Sequence, residues 1–137
     1  VLSIATIIAA AAMAEKLHVK QVEVHGMSQR GGAVQASLRI SDQPIHSDLV
    51  PQGTAEMILS LEPVESLRYL PWLAPTGTVV TSLDPVMVGA CSELLPIRPE
   101  IIEEQIRALF GRKGQKLVDI NLRAFAAGRE AGQCAKS

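Results

Sequence analysis

Alternating apolar and polar positions predict two neighbouring strands near the start of the chain. Val22 and Val24 alternate with Gln21 and Glu23, which predicts a strand over residues 19–24. From residue 34 to residue 40 every second position is apolar, the cleanest strand pattern in the sequence. The stretch HGMSQRGG joins them, whereas a plain hairpin needs only about two to five residues. This long glycine-rich connection therefore calls for an explanation.

The middle of the chain predicts a strand, a helix and a second strand. Residues 57–61 form a nearly unbroken apolar run, typical of a strand covered on both faces. Pro63 suits the first position of a helix, which we expect to continue to residue 70. A turn at residues 75–77 and a strand over 78–83 follow. This order predicts a βαβ unit with parallel strands. Residues 45–47 are a further short strand candidate.

The remaining patterns predict helices. Residues 1–17 are apolar almost all round, which indicates a buried helix; the apolar run is too short to span a bilayer and has no basic segment before it. Helices are also predicted over residues 86–95, 98–111 and 113–132. The predicted fold is α/β, a three-layer α/β/α sandwich with a mixed, partly parallel sheet.

Composition and charge exclude several classes of partner. Apolar residues make up 47% of the 137 residues, enough for a packed core, but aromatic residues are only 3%, too few for a nucleic-acid stacking platform. The net charge of −1 offers no electrostatic footprint for nucleic acid or an anionic membrane. Two distant cysteines with no CxxC spacing predict neither a metal nor an iron–sulfur site and fit a reducing, cytoplasmic compartment.

The glycine-rich connection is the strongest candidate for chemistry. Its glycines permit close approach of a ligand, successive backbone N–H groups can cradle an anion, and Arg30 suits a carboxylate or phosphate. His25 stands at the carboxyl end of a strand, where α/β proteins commonly bind ligands. Two interpretations remain open. The loop contacts an anion or substrate, or it is a crossover whose polar groups satisfy one another or a partner subunit.

Other polar residues have simpler interpretations. His18 is expected to be structural at a helix end, His46 to lie on the surface, and Glu62 to cap a helix. Cys91 is expected in the core, and Glu93 has no nucleophile or base with which to form a catalytic pair. No Ser–His–Asp set, phosphate loop or complete dinucleotide fingerprint can be assembled. A subunit that lends one wall to a shared site is better supported than an independent enzyme.

Three segments resemble a known family. EVHGMSQRGGAVQASLRI, AEMILSLEPVESLRYLPWLAPTGTVV and the helical VMVGACSELLPI with AFAAGREAG are similar to the gamma-type domain of 2-oxoacid:ferredoxin oxidoreductases, across nearly the whole chain. The form of residues 27–30 is most similar to the beta subunit of the indolepyruvate type. The resemblance implies a single gamma-type domain over residues 1–137. The chain departs from the family pattern in two places. It starts already inside the first helix, without the family's strand and GxGGQG turn. Only residues 81–85 connect the TGTVV strand to the VMVGA helix, where the family carries a longer segment.

The resemblance also implies an activity and partners. The family oxidatively decarboxylates a 2-oxoacid, here an aryl 2-oxoacid such as indolepyruvate, passes the acyl group to coenzyme A and reduces ferredoxin. Thiamine diphosphate and iron–sulfur clusters would belong to a larger alpha subunit, and no cofactor is expected on this chain. The chain alone would be inactive, would expose apolar surface, and could form a homodimer when isolated. The loop facing the substrate or coenzyme A would comprise His25, Gly26, Met27, Ser28, Gln29, Arg30, Gly31 and Gly32, with no catalytic role assigned to any of them.

Two alternatives compete with this hypothesis. One is a free-standing α/β module that binds a nucleotide or regulates another protein. The other is a scaffolding subunit whose loop fills an interface groove. Binding of nucleotide to the isolated chain would separate the first alternative from the rest.

Overall fold

The chain divides into two compact units, Val1–Val50 and Pro51–Ser137. The computed structural model describes residues 2–25, 34–81, 87–112 and 114–134. The first unit contains α1 (Leu2–Ala14), β1 (His18–His25) and β2 (Val34–Ser41). The second contains β3 (Ala55–Ser60), α2 (Pro63–Tyr69), a 3-10 turn (Leu70–Trp72), β4 (Leu73–Thr81), α3 (Met87–Ser92), α4 (Pro99–Gly111) and α5 (Gln115–Cys134).

Helix α1 is the predicted apolar helix, and it packs against both β1 and β2. Ile8, Ala11 and Ala12 on it are buried. The helix ends at Ala14, three residues earlier than predicted. The reason is local: the Leu17 N–H donates to the Ala12 carbonyl and the Lys16 N–H to the Met13 carbonyl, both at 3.0 Å. This is the Schellman pattern, and it places Lys16 at a positive φ of 62°.

Strands β1 and β2 form an antiparallel hairpin, as the alternating patterns indicated. Their register joins His18 to Ser41 at the open end and His25 to Val34 at the loop end. The strands start and stop within one residue of the predicted limits. The predicted strand at residues 45–47 does not form, and that segment is irregular.

Strands β3 and β4 are parallel, with α2 crossing between them, so the predicted βαβ unit is confirmed. Pro63 is the first residue of α2, where its missing N–H costs no helical hydrogen bond. Helix α2 packs on both strands. The carboxyl ends of the two strands lie at one edge, because Ser60 pairs with Thr81.

The predicted turn at residues 75–77 is wrong, because these residues lie inside β4. Ala55 pairs with Leu73 but Met57 pairs with Thr78, so β4 carries extra residues at a bulge. Gly77 is at this irregularity, and a Cβ there would lie 2.8 Å from the Ala55 carbonyl oxygen. The proline and glycine that suggest a turn in the sequence mark a bulge instead.

Three helices complete the second unit. Helix α5 packs against α3 and α4, and α3 also contacts β4. Side chains buried on these helices and the segment between α3 and α4 are Met87, Val88, Cys91, Ile97, Ile102, Ile106, Val118 and Phe125. All of these residues except Ile97 lie within the helices predicted over residues 86–95, 98–111 and 113–132. Within the described residues, no helix has the length and hydropathy to cross a bilayer.

Glycines bring α3 and α5 into close contact. A Cβ on Gly89 of α3 would collide with the Phe125 carbonyl oxygen and lie 2.9 Å from the Arg129 backbone nitrogen. A Cβ on Gly132 of α5 would in turn lie 2.6 Å from the Ala90 carbonyl oxygen. At each of these two contacts, a glycine on one helix lets the backbone of the other helix approach closely.

The fold class is α/β, with one antiparallel and one parallel strand pair accompanied by helices. The described residues form these pairs as two two-stranded sheets. The layer order of the predicted sandwich, and its description as a single domain, stay predictions.

Replacing Gly89 with alanine should destabilise the protein by about 2 to 4 kcal/mol, because the new methyl group forces α3 away from α5. Gly111→Ala is the matched control, since a Cβ there meets nothing within 4 Å. It ends α4 and should be neutral or stabilising by up to about 1 kcal/mol. Urea denaturation measures both; equal stability of the two variants would contradict the close contact.

Candidate functional site

The hairpin holds both ends of the predicted anion-contacting loop side by side. His25 ends β1, Val34 begins β2, and these two residues are register partners. Residues 26–33 connect them and lie outside the described residues, as does the His25 side chain. The predicted loop residues Gly26, Met27, Ser28, Gln29, Arg30, Gly31 and Gly32 all fall there. The structure shows how this connection is attached: it begins and ends on residues that pair with each other in one hairpin.

Neither face of the hairpin is purely apolar or purely polar, although the alternation within each strand alone suggests one face of each kind. Register places Gln21 opposite Leu38 and Glu23 opposite Ala36, so the polar row of β1 shares a face with the apolar row of β2. The Gln21 side chain donates to Glu23 Oε1 at 2.6 Å along this row. Both faces leading to the loop are therefore mixed, and Val24 is 55% exposed near the loop end.

Arg39 on β2 organises the segment that follows the hairpin. Its Nη1 donates to the carbonyl oxygens of Ser47 at 2.9 Å and Leu49 at 3.2 Å. The Leu49 N–H in turn donates to Ser47 Oγ at 3.2 Å. Sequence reasoning missed this role, because a charged residue in an alternating strand reads as a solvent-facing position. The guanidinium thus binds the Ser47 carbonyl, which would pair with a neighbouring strand if residues 45–47 formed one, and the Leu49 carbonyl just beyond them.

The carboxyl edge of β3 and β4 is the second place where α/β proteins commonly bind ligands. Ser60 Oγ donates to the Glu62 carbonyl at 2.7 Å and lies 3.3 Å from the Glu62 N–H, so it closes the turn into α2. The prediction that Glu62 caps α2 is wrong for its side chain, which makes no capping hydrogen bond and is exposed. Ser60 Oγ accepts from the backbone N–H of Glu62 itself, which precedes the helix.

Glu93 belongs to an ion pair between the end of α3 and α5. Its Oε1 accepts from Arg129 Nη2 at 3.0 Å, from Arg129 Nε at 3.2 Å and from Gln133 Nε2 at 3.3 Å. The Arg129 and Glu93 side chains are 31% and 26% exposed. A carboxylate held by a guanidinium through two donors is a strong structural contact. Glu93 thus links the end of α3 to α5.

Cys91 lies in the core, as predicted, with no exposed surface. Its thiol donates to the Val88 carbonyl at 3.4 Å. Burial raises the pKa of the Cys91 thiol from 9.0 to about 11, because the thiolate would be poorly solvated there. Cys134 is exposed. A neutral buried thiol is a poor nucleophile, so Cys91 serves packing.

The side chains of His18 and His46 both lie on the surface. His46 is exposed, as predicted. His18 is also exposed but opens β1 and does not end the helix, because α1 stops four residues before it. Among the described residues no three His, Cys, Asp or Glu side chains are grouped so that they could hold a metal ion.

The fold matches solved oxoacid oxidoreductases. A 2-oxoglutarate:ferredoxin oxidoreductase from Magnetococcus marinus, solved with 2-oxoglutarate, coenzyme A and succinyl-CoA, matches 97% of this chain and 29% of its own with a TM-score of 0.83 at 18% identity. A keto/oxoacid ferredoxin oxidoreductase gamma subunit from Geobacter sulfurreducens matches 96% of this chain and 90% of its own, with a TM-score of 0.62 at 17% identity. At these identities the likeness defines the fold: an oxoacid:ferredoxin oxidoreductase gamma-type fold.

The chain belongs to the pyruvate ferredoxin/flavodoxin oxidoreductase family, whose model matches residues 1–86 and 80–131. The predicted family resemblance is therefore confirmed. The match falls in two pieces that overlap at residues 80–86, where the sequence showed the shortened connection.

Curated relatives share one name. The indolepyruvate oxidoreductase subunit IorB of Pyrococcus horikoshii is 39% identical over 116 residues, which cover 80% of this chain and 57% of that protein. The Archaeoglobus fulgidus protein of the same name is 41% identical over 101 residues, or 72% of this chain and 49% of that protein. The chain thus spans about half the length of the curated relatives it matches.

Removing the Glu93–Arg129 pair should cost about 1 to 2 kcal/mol of unfolding free energy, because the pair is partly shielded and has two donors. Arg129→Ala tests this by urea denaturation. Arg107→Ala is the control: its pair with Glu103 is 3.9 Å long and 55%/38% exposed, and its loss should cost no more than about 0.5 kcal/mol. A larger effect from the control would contradict this ranking.

The two cysteines should react at very different rates. At pH 8 one thiol, that of Cys134, should titrate promptly with a disulfide reagent, and that of Cys91 only after denaturant is added. The raised pKa of Cys91 also makes the stability of the fold depend on pH. Because the pKa is higher in the folded than in the unfolded state, the contribution of this thiol to the free energy of unfolding is complete below pH 9. It is lost as the pH rises from about 9 towards 11. Cys91→Ala should remove that loss; prompt reaction of two thiols in the folded protein would contradict the burial.

Proposed function

We propose that this chain is a subunit of an indolepyruvate-type 2-oxoacid:ferredoxin oxidoreductase. The observation that carries the proposal is the family match together with relatives that bear the name indolepyruvate oxidoreductase subunit IorB. The reaction is oxidative decarboxylation of an aryl 2-oxoacid to an acyl-coenzyme A, with electrons passed to ferredoxin. Because the chain spans about half of those relatives, the activity is assigned to the assembled complex and not to these residues alone.

The catalytic machinery is assigned to a partner alpha subunit. Thiamine diphosphate there would supply the electron sink for decarboxylation, and iron–sulfur clusters would carry the electrons. Two candidate polar groups of this chain have structural roles that fit the division: Glu93 pairs with Arg129, and the Cys91 thiol is buried and neutral. Coenzyme A is a co-substrate of the complex, and a reducing cytoplasmic compartment suits this chemistry.

The loop from His25 to Gly32 is this chain's contribution to the shared site. A 2-oxoacid carries a carboxylate and coenzyme A carries phosphates, and both are anions that a planar guanidinium binds well. The hairpin supports this assignment because it fixes the loop at both ends on paired backbone residues. Arg30 is the only cation in the loop and is its best single test.

Arg30→Ala should lower kcat/KM of the assembled complex by about tenfold to a hundredfold, because one charge-assisted contact to an anionic substrate is lost. Thermal stability should be unchanged. Arg123→Ala is the control, an exposed arginine on α5 that should leave the kinetics unaltered. The assay is ferredoxin reduction with indolepyruvate and coenzyme A after reconstitution with the alpha subunit.

Three outcomes would refute parts of the proposal. Unchanged kinetics in Arg30→Ala would remove the loop from the shared site and leave a scaffolding subunit. Tight binding of a nucleotide to the isolated chain, measured by calorimetry, would favour a free-standing nucleotide-binding module. Turnover by the isolated chain would refute the division of labour between subunits.

A further inference from the structure

Two cations lie directly opposite each other in the hairpin. Lys20 on β1 and Arg39 on β2 are register partners in the antiparallel pair. Residues that are directly opposite share one face of a sheet, with Cβ atoms about 4.5–5.5 Å apart, and like charges at such positions destabilise the pairing. A pair of this kind therefore lowers the stability of the hairpin unless an anion neutralises it.

The face that carries these two cations has no carboxylate. The register places eight residues on it: His18, Lys20, Val22 and Val24 from β1, and Gln35, Ser37, Arg39 and Ser41 from β2. The one acidic residue of the two strands, Glu23, lies on the opposite face. Asp48 stands between the two residues whose carbonyls bind Arg39, but within the described part of the chain it forms no ion pair with either cation. The positive charge on this face is not balanced by the strands themselves.

Several hydrogen-bond donors on this face have no acceptor among the described residues. Lys20 is exposed, and its ammonium group makes no hydrogen bond or ion pair there. The Nε and Nη2 groups of Arg39 donate to none of these residues, and neither does the Ser37 hydroxyl. The Ser41 hydroxyl accepts from the Gln43 N–H at 3.0 Å and has no described acceptor for its own proton.

These donors surround Lys20. Arg39 is directly opposite it, and Ser37 and Ser41 are its two diagonal neighbours on β2. Diagonal neighbours in an antiparallel pair are about 7–8 Å apart, close enough for one small ligand to contact both strands. An ammonium group, a planar guanidinium and two hydroxyls suit the oxygens of a phosphate, which accept hydrogen bonds in several directions. A planar carboxylate has only two oxygens and would leave more of these donors without an acceptor.

Arg39 is already held in position for such a ligand. The Ser47 and Leu49 carbonyls accept from its Nη1 at 2.9 Å and 3.2 Å. A side chain that is fixed before binding loses less rotamer freedom when the ligand arrives. Both acceptors are neutral, so they orient the guanidinium and leave its positive charge to attract an anion.

We propose that Lys20, Ser37, Arg39 and Ser41, which we call the stem cluster, form a binding site for a phosphate group. The group is either free inorganic phosphate or a phosphate of a larger molecule such as coenzyme A. Lys20 and Arg39 are each five residues from the end of their strand at His25 or Val34, about 17 Å along the hairpin. The site is therefore distinct from the residues that anchor the loop, and the proposal does not depend on the proposed function.

Titration of the 15N-labelled full chain with sodium phosphate, followed by NMR, tests the stem cluster. The backbone amides of its four residues should shift with one common Kd, and Lys20→Gln should raise that Kd at least about tenfold, because a charged donor is lost. Lys116→Gln is the matched control, since Lys116 is an exposed lysine on α5 and its loss should leave the Kd unchanged. Sodium acetate at the same ionic strength should not produce these shifts.

Two further ligands identify the source of the phosphate. Coenzyme A is compared with pantetheine, which lacks its phosphate groups. If coenzyme A binds the stem cluster at least about tenfold more tightly than inorganic phosphate and pantetheine causes no shift, the site takes a phosphate of that molecule. Equal affinity for coenzyme A and inorganic phosphate identifies free phosphate as the ligand.

Thermal unfolding of Lys20→Glu tests the repulsion between the two cations. The substitution converts a like-charge pair into an opposite-charge pair, so the Tm in phosphate-free buffer should rise by about 2 °C or more. Phosphate should raise the Tm of the wild type and not that of this variant, because only the wild type binds it. Lys116→Glu should respond to phosphate as the wild type does.

Four results would overturn the proposal. Shifts without a common Kd, or equal shifts with acetate, would show charge screening instead of binding. An unchanged Kd in Lys20→Gln would place the phosphate elsewhere on the chain. A Tm of Lys20→Glu that does not rise in phosphate-free buffer would remove the argument from repulsion. None of these measurements uses turnover, so they are independent of the proposed activity.

Discussion

Parallel pairing of β3 with β4 is the constraint on which the second unit depends. Two adjacent strands can run in the same direction only if the chain returns across the sheet between them, and α2 with its 3-10 turn is that return. The pairing sets the ends of both strands at one edge and fixes where α2 starts. The pairing also contains a register mismatch, because β4 advances five residues, from Leu73 to Thr78, where β3 advances two, from Ala55 to Met57. The position of Gly77 against the Ala55 carbonyl follows from that mismatch.

Among the described residues, periodicity along the chain predicts the five α-helices and the four strands, although β4 begins five residues before its predicted start. Local signals did well where they act locally: Pro63 and Pro99 begin helices, and Gly111 ends one. They were wrong where contacts with residues outside the local segment determine its structure. The Pro75–Gly77 cluster resembles a turn, but pairing of its neighbours with β3 makes it a bulge. Residues 45–47 are a candidate short strand, but the Arg39 guanidinium donates to the carbonyls of Ser47 and Leu49.

The hairpin illustrates a second limit of sequence reasoning. Each strand shows clear alternation, but only the register decides which rows share a face. Here the apolar row of β2 lies across from Gln21 and Glu23. For the candidate site, composition and family resemblance predicted the loop, and strand limits set by pairing gave its anchors. The Glu93–Arg129 contact joins residues 36 positions apart, and no local pattern could have predicted it.

The close contacts that Gly89 makes with α5 and Gly132 makes with α3 restrict how these two helices can move. Each helix uses a glycine to admit the backbone of the other, at two separate points along the same seam. Two points of backbone contact define a line, so neither helix can rotate about its axis or slide without a carbonyl meeting a Cα. Side-chain contacts can adjust by changing rotamers, but a backbone contact at a glycine has no rotamer to change. Helices α3 and α5 should therefore move together, as one rigid body.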